Sequence, residues 1–225
     1  MAIVDLFFPK KCLNCGKEGT YICSACIGKL SGLKQICLEC TRPSVDGMTH
    51  VRCKRPWGLD GLVFLWPYQG VVRQAILKLK YKFALEVARE LAGHVVNNLK
   101  ERKVALPLDS VFVSIPLYWY RKNWRGFNQV EEVGKLVVKS MNWHFQPDLL
   151  VRKRLKRPQT DLKKEERTEN VRGVFALNPK LSNVRGYRSI VLFDDVLTTG
   201  ATIKEAAKVL KRSGAKSVWG LTIAR

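Results

Sequence analysis

Apolar residues follow two patterns along this chain: short continuous runs, and positions spaced by three or four. Continuous runs bounded by turn residues are typical of strands buried on both faces of a sheet. They predict strands at residues 62–66, 110–115, 171–177, 190–193 and 217–223, the last of which closes the sheet. Spacings of three and four predict amphipathic helices at residues 71–99, 130–141 and 202–212. The pattern therefore predicts an α/β fold, a parallel sheet flanked by helices.

Two adjacent carboxylates, Asp194 and Asp195, follow the apolar run at 190–193. Open α/β sheets bind ligands at the carboxyl ends of their strands. Two acids beside a buried strand are costly unless something uses them, although they could also serve only as turn residues before a capped helix. Residues 198–202 then supply small hydroxyl side chains, a glycine and a helix start, whose backbone N–H groups suit a phosphate. Together the two ends of this segment suit a sugar phosphate.

All seven cysteines lie within the first 53 residues. They are Cys12, Cys15, Cys23, Cys26, Cys37, Cys40 and Cys53. Six form Cys-x-x-Cys pairs, and the seventh forms a His-x-x-Cys pair with His50, so four two-ligand turns could hold two tetrahedral zinc ions. Disulfides would need an oxidising compartment and an export signal, and residues 1–8 show no cleavage signature. The sequence therefore predicts two structural zinc sites.

Two ligand pairings are open. A sequential scheme places Cys12, Cys15, Cys23 and Cys26 at one site and Cys37, Cys40, His50 and Cys53 at the other. A cross-brace would instead join the first pair to the third and the second pair to the fourth. The seven-residue spacer between Cys15 and Cys23 permits either, and the sequential scheme is preferred. The zinc module is expected to span residues 1–57 and the α/β domain residues 58–225.

Forty Lys and Arg against nineteen Asp and Glu give a formal net charge of +21. Such a charge attracts polyanions and favours salt-sensitive binding of nucleic acid, although it could also serve general solubility. No apolar run reaches the roughly 18 residues of a membrane span, so we expect a cytoplasmic protein without one.

A basic segment between residues 152 and 167 lacks an apolar period, contains a proline and is predicted to be a mobile loop. It could close over a ligand, or it could track the phosphates of single-stranded DNA. The candidate contacts for either role are Arg125, Lys153, Arg154, Lys156 and Arg157. Trp119, Trp124 and Phe127 are candidate platforms for stacked bases.

Residues 190–202 resemble the 5-phosphoribosyl-1-pyrophosphate (PRPP) loop of type I phosphoribosyltransferases. The resemblance implies that the two acids hold the ribose hydroxyls, that the turn encloses the 5′-phosphate, and that Mg²⁺ accompanies PRPP. The binding residues it implies are Asp194, Asp195, Val196, Leu197, Thr198, Thr199, Gly200, Ala201 and Thr202. Pro116, Leu117 and Tyr118, after the strand at 110–115, correspond to the pyrophosphate loop.

Further motifs resemble the ComF family, whose members join a cysteine-rich zinc head to a phosphoribosyltransferase-like domain. These motifs are Arg125-Gly126-Phe127-Asn128-Gln129, Arg157-Pro158-Gln159-Thr160, and Arg167 followed by Asn170-Val171-Arg172-Gly173-Val174-Phe175. The chain departs from the family pattern at His50, where a cysteine is usual, and at Tyr118, where a histidine often stands.

The family resemblance implies a role in the uptake of single-stranded DNA during natural transformation (competence), with other DNA-uptake proteins as possible partners. Two hypotheses remain open. An enzyme would transfer ribose 5-phosphate from PRPP to an unknown acceptor, a pentosyl transfer of nucleotide or nucleobase metabolism. A binding module would retain the PRPP pocket as a ligand sensor or as a relic of an enzyme, and its task would be to bind DNA. The sequence contains no base-recognition signature, which weighs against the enzyme.

Overall fold

The computed structural model describes residues 9–30, 32–79, 85–102, 106–107, 109–117, 128–153, 171–181 and 184–225. The strands are β1 (Gly61–Trp66), β2 (Ser110–Ser114), β3 (His144–Phe145), β4 (Leu150–Arg152), β5 (Phe175–Leu177), β6 (Ser189–Val196) and β7 (Ser217–Ala224). Five of them form a parallel sheet in the order β1-β7-β6-β2-β3, and β4 pairs with β5 in a separate antiparallel ribbon. The predicted parallel sheet is confirmed.

The described helices are α1 (Ser24–Gly28), α2 (Gly70–Lys78), α3 (Leu85–Glu101), α4 (Gln129–Met141) and α5 (Ala201–Arg212). Short 3₁₀ turns occur at Val45–Gly47, Val51–Cys53, Pro179–Leu181 and Val184–Gly186. The side chain of Asn128 accepts the N–H of Val130 at 3.2 Å and caps α4. Gly214, with φ of +103°, follows the end of α5.

Three predictions about these elements are wrong. The single helix predicted at 71–99 is two helices, α2 and α3. The apolar pattern did not show the break, because both helices bury apolar residues in the same cluster and no glycine or proline lies between them. The strand at 171–177 begins only at Phe175, after a turn whose Gly173 N–H donates to Glu205 at 2.8 Å. The strand β7 does not close the sheet; it lies between β6 and β1 and is buried along almost its whole length.

The basic segment also begins differently from the prediction. Arg152 is the last residue of β4 rather than part of a loop, since Leu150, Val151 and Arg152 pair with β5. Residues 154–170 lie outside the described residues.

Alternate residues of the sheet point into two hydrophobic clusters, one on each face. On one face, Val63, Val191 and Leu221 pack with the apolar sides of α2, α3 and α4. On the other face, Leu62, Ile190 and Val218 pack with α5 and with the β4–β5 ribbon. The sheet is therefore covered on both sides, as a parallel sheet requires.

The cysteine-rich N-terminal residues straddle the β1 edge of this sheet. Cys12, Ile22, Cys23, Cys26, Ile27 and Leu30 join the cluster on the α3 face, whereas Ile36 and Leu38 join the cluster on the α5 face. Gln35 spans the edge itself: its amide donates to the Phe64 carbonyl at 2.9 Å and accepts the Phe64 N–H at 3.1 Å. The backbone N–H and carbonyl of Phe64, in the edge strand, are thus paired rather than exposed.

None of the helices in the described ranges combines the length and the apolar character needed to cross a membrane.

Candidate functional site

The acidic pair, Asp194 and Asp195, lies inside β6 rather than beyond its end. Asp194 pairs with Thr222 of β7 and Val196 with Ala224, so the strand runs three residues further than the apolar run suggests. On the other side of β6, the β2 ladder reaches only as far as the pair Ser114 and Phe193. The two acids are partly exposed and stand at the carboxyl edge of the sheet, where ligands bind in α/β folds.

Backbone and side-chain donors hold the acidic pair in place. Asp194 Oδ1 accepts the N–H of Asp195 at 2.9 Å, and Asp195 Oδ1 accepts the N–H of Val196 at 2.7 Å. The amide of Gln129, the first residue of α4, donates to Asp195 Oδ2 at 3.4 Å. Asp194 is thus oriented through one of its oxygens and Asp195 through both.

Burial raises the pKa of Asp194 well above its ordinary value, and the adjacent charge of Asp195 raises it further. Arg152, at the end of β4, opposes this rise through its positive charge. A ligand that donates hydroxyl hydrogen bonds would favour the charged form of this carboxylate, which desolvation otherwise penalises. The acidic pair is therefore suited to a polyol that brings its own donors.

The turn at residues 198–202 connects β6 to α5. Leu197 is buried and its N–H donates to Ala224 at 2.8 Å, whereas Thr198 is exposed. Thr199 Oγ1 accepts the N–H of Ala201 at 3.3 Å. Gly200 has φ of +75°, in the left-handed region that glycine adopts without strain, and α5 begins at the next residue, Ala201. Thr202 lies in the first turn of α5.

The candidate pyrophosphate loop starts beside the acidic pair. Pro116 and Leu117 are partly exposed and follow Ile115, whose N–H donates to Phe193 at 2.9 Å. The side chain of Asn128 donates to the Ile115 carbonyl at 3.2 Å and ties this loop to the start of α4. Two neighbouring strands, β2 and β6, thus bring the loop and the acids together.

Several predicted contacts lie outside the described residues: Tyr118, Arg125, Arg154, Lys156, Arg157, Trp119, Trp124 and Phe127. Lys153 is described; it is exposed directly after β4, and its N–H donates to Val174 at 2.7 Å.

The eight predicted zinc ligands form two groups, and the sequential pairing is confirmed. Cys12, Cys15, Cys23 and Cys26 form the first zinc site; Cys37, Cys40, His50 and Cys53 form the second. Within each group the ligand atoms all lie within 4.8 Å of one another. Four ligands around one point, all cysteine sulfurs or cysteine sulfurs with one histidine nitrogen, are typical of a structural zinc site.

Backbone N–H groups prepare both sites for thiolates. Desolvation alone would raise the pKa of Cys12, but hydrogen bonds from the backbone of Cys15, Cys23 and Asn14 outweigh it and lower the pKa to about 6. Cys37 follows the same pattern: its desolvation is outweighed by backbone hydrogen bonds, and its pKa falls to about 7. In the same groups, the hydrogen bond with Cys23 raises the pKa of Cys26 to about 12, and burial raises the pKa of Cys53 to about 11. Since the thiolate is the form that binds metal, the backbone favours that form at one cysteine of each group.

His50 has the geometry of a ligand rather than of a surface histidine. Its Nδ1 lies 3.3 Å from Cys40 Sγ, within the ligand group, and its Nε2 lies 3.1 Å from the Pro43 carbonyl. With the proton on Nε2, the ring donates to that carbonyl and leaves Nδ1 for the metal.

The second zinc site packs directly against the turn. Leu38, between Cys37 and Cys40, contacts Gly200 and belongs to the same cluster as Leu197 and Ile203. Its neighbour Glu39 forms an ion pair with Lys204 of α5 at 3.1 Å.

Sequence reasoning missed four residues near the site: Gln129, Arg152, Leu38 and Glu39. Gln129 lies in a quoted motif, and Arg152 stood in the basic segment, but neither could be placed at the acidic pair without the fold. Leu38 and Glu39 carry no signal of their own, because their contacts come from the far end of the chain.

A family model described as a double zinc ribbon domain matches residues 3–54. The DNA utilization protein YhgH of Escherichia coli is 30% identical over 88% of this chain and 87% of its own length. Competence protein F of Haemophilus influenzae is 28% identical over 96% and 97%. Competence protein ComFC of Streptococcus pneumoniae is 25% identical over 96% and 100%.

Among solved structures, the allosteric regulatory enzyme of purine biosynthesis covers 65% of this chain and 29% of its own, with 17% identity and a TM-score of 0.41. A likeness of this size adds nothing to what the relatives establish. The relatives match most of this chain, which also has the double zinc ribbon and the parallel sheet. The chain therefore belongs to the ComF family.

Proposed function

We propose that this protein binds PRPP with Mg²⁺ at the carboxyl end of β6. The observation that carries the proposal is the placement of two oriented carboxylates, Asp194 and Asp195, which two residues separate from a glycine-containing turn that opens a helix. The acids would accept hydrogen bonds from the ribose 2′- and 3′-hydroxyls. The N–H groups at the start of α5 would receive the 5′-phosphate, since a helix N-terminus favours anions.

The neighbouring loop supports the same ligand. Pro116 and Leu117 start one strand away from Asp194, so a pyrophosphate held there would lie across the end of the sheet from the 5′-phosphate turn. Mg²⁺ bound together with PRPP would offset the charge of the pyrophosphate, and Asp194 and Asp195 are the described carboxylates that could help to hold it.

The biological role we propose is the handling of single-stranded DNA during its uptake, together with other DNA-uptake proteins. The names of the relatives, which refer to DNA utilization and competence, support this role. The net charge of +21 supports affinity for a polyanion. Two zinc sites built largely from thiolates suit a reducing compartment, so we place the protein in the cytoplasm.

Titration calorimetry with PRPP and MgCl₂ tests the ligand. We expect wild type to bind and each of Asp194→Asn and Asp195→Asn to weaken binding by at least about tenfold, since hydrogen bonds to charged groups contribute about 1.5–3 kcal/mol. Asp148→Asn, which alters an exposed carboxylate elsewhere, should bind like wild type. Equal affinity in all four proteins would refute the site.

Pyrophosphate release from PRPP, measured with a panel of nucleobases and nucleotides, separates the two hypotheses about catalysis. Turnover with one acceptor would assign the protein as an active phosphoribosyltransferase. Binding of PRPP without turnover across the panel would leave it a binding module.

A further inference from the structure

A cavity of about 400 Å³ lies on the α5 side of the sheet and extends to Ala201, the first residue of α5. We call it the Trp57 cavity. Its walls come from the segment after the second zinc site, from the turn before β5 and from one side of α5. The residues that matter for its chemistry are Glu39, Arg55, Trp57, Arg172, Lys204 and Lys208.

The cavity carries an excess of positive charge. Both of its acids are engaged: Glu39 pairs with Lys204 at 3.1 Å, and Glu205 accepts the N–H of Gly173 at 2.8 Å. Within the described part of the chain, Arg55, Arg172 and Lys208 have no carboxylate within 4.0 Å. Three cations therefore face the cavity without a neutralising carboxylate among the residues that the structure describes.

The cations of α5 continue along one side of the helix. Lys204, Lys208 and Arg212 are spaced by four residues, which places successive side chains about 6 Å apart along the helix axis on the same face. Lys204 is paired, so Lys208 and Arg212 form the open part of this row. A row of cations with a regular spacing is suited to the backbone of a linear polyanion.

An aromatic ring stands beside this row. Trp57 is 46% exposed, a large fraction for an indole, and the guanidinium carbon of Arg212 lies 5.9 Å from its ring centroid. A tight turn, in which the Gly58 N–H donates to the Arg55 carbonyl at 3.0 Å, presents the side chain. An exposed ring among cations is the combination by which proteins bind bases and phosphates of single strands.

We propose that the Trp57 cavity is a binding subsite for single-stranded nucleic acid, with one base stacked on Trp57 and the adjoining phosphates on Arg172, Lys208 and Arg212. The inference deepens the DNA-handling part of the proposed function and rests on it. It places the strand on the α5 face, beside the second zinc site, on residues to which the sequence motifs assign no binding role.

Fluorescence anisotropy with a short labelled oligothymidylate, over a series of KCl concentrations, tests the subsite. Trp57→Ala should weaken binding by about 5- to 150-fold, the range expected for the loss of one stacked base, and Trp57→Phe should retain most of the affinity. Arg172→Ala/Lys208→Ala should reduce the slope of log affinity against log salt by about 1.4, the value for two phosphates of a single strand.

Arg89→Ala/Lys139→Ala is the matched control, since it removes two exposed cations from α3 and α4 on the opposite face. This variant should keep the wild-type slope, and every variant should keep its zinc content and its affinity for PRPP. Unchanged oligothymidylate binding by Trp57→Ala, or an equal loss in the control, would overturn the subsite while leaving DNA binding in place.

Two further outcomes would also overturn it. If wild type does not bind the oligothymidylate at all, both the subsite and the DNA-handling role fail, whereas PRPP binding is judged separately by calorimetry. If phosphatidylglycerol vesicles bind in a Trp57-dependent manner and the oligothymidylate does not, the cavity is a membrane contact instead.

Discussion

Leu38 packs so closely on Gly200 that a Cβ built on the glycine would lie 2.8 Å from Leu38 Cδ1. Leu38 stands between two ligands of the second zinc site, and Gly200 is the residue before α5. The zinc site therefore supports the turn that we propose for the 5′-phosphate. Glu39 and Lys204 add an ion pair across the same contact.

Gly200→Ala should lower both the melting temperature and the affinity for PRPP. The added methyl group faces two costs, the left-handed backbone at φ of +75° and the contact with Leu38. The first is about 1–2 kcal/mol for an L-residue. Combining Gly200→Ala with Leu38→Ala removes only the second, so a double-mutant cycle should show a coupling of about 0.5–3 kcal/mol.

Gly93→Ala is the control for this cycle, because a Cβ there meets no atom within 4 Å and the residue lies within α3. It should be neutral or slightly stabilising, as alanine is in helices. Strictly additive effects of the Gly200 and Leu38 substitutions would show that the contact does not constrain the turn.

The two zinc sites should differ in their effect on the ligand. Elemental analysis should find two zinc ions per chain, one for each group of four ligands. Cys40→Ser, in the second site, should weaken PRPP binding, because that site touches the turn through Leu38. Cys15→Ser, in the first site, should lower stability but leave PRPP affinity near wild type, because its surroundings dock on α2 and α3. Equal losses of affinity in the two variants would contradict this division.

Glu90 should be the main polar anchor of the first zinc site. Its Oε2 accepts three hydrogen bonds, from the Thr20 hydroxyl at 2.7 Å and from the N–H groups of Tyr21 and Ile22 at 2.8 and 2.9 Å. We expect Glu90→Ala to lower the free energy of unfolding by about 1.5–3 kcal/mol in urea denaturation, since these bonds involve a charge. Glu86→Ala, which removes a half-exposed ion pair with Lys10, should cost less than about 1 kcal/mol. A similar loss in the free energy of unfolding for both variants would show that Glu90 is not the main polar anchor.

Asp194→Asn should stabilise the protein while it weakens PRPP binding. The folded protein holds this proton to a higher pH than the unfolded chain does, so the stability contributed by the group is lost as the pH rises through the raised pKa. The variant cannot ionise. Its gain in melting temperature over wild type should therefore widen above the ordinary pKa of 3.8 and level off beyond the raised value.

Thermal denaturation over a pH series measures this difference, and each kcal/mol relieved should raise the melting temperature by about 2–4 °C for a chain of this size. Asp148→Asn, which alters an exposed carboxylate outside the site, is the control variant. A constant difference across the series would mean that Asp194 titrates as it does in the unfolded chain.

Local patterns predicted most of the elements because they depend on neighbours in the sequence. The apolar run before Asp194 specified a buried strand, Asn128 specified a helix start, and paired cysteines specified tight metal-binding turns. The same locality caused the errors. Apolar residues recur every three or four positions through residues 71–99 without a visible break, although α2 and α3 are separate helices.

The expected boundary between residues 1–57 and 58–225 stays a prediction. The hydrophobic clusters include residues from both sides of it, so a shift in composition near Trp57 does not by itself mark a unit that folds alone.

The sequence by itself determined the parallel α/β fold, the zinc ligands and the acidic pair, because each is specified by residue types at short, regular spacings. Only the tertiary structure decided which residues surround them. Gln129 and Arg152 reach the acidic pair from other elements, and Leu38 reaches Gly200 across more than half of the chain. Such contacts depend on the order of strands in the sheet and on the path of the N-terminal residues around β1, and no local pattern encodes either.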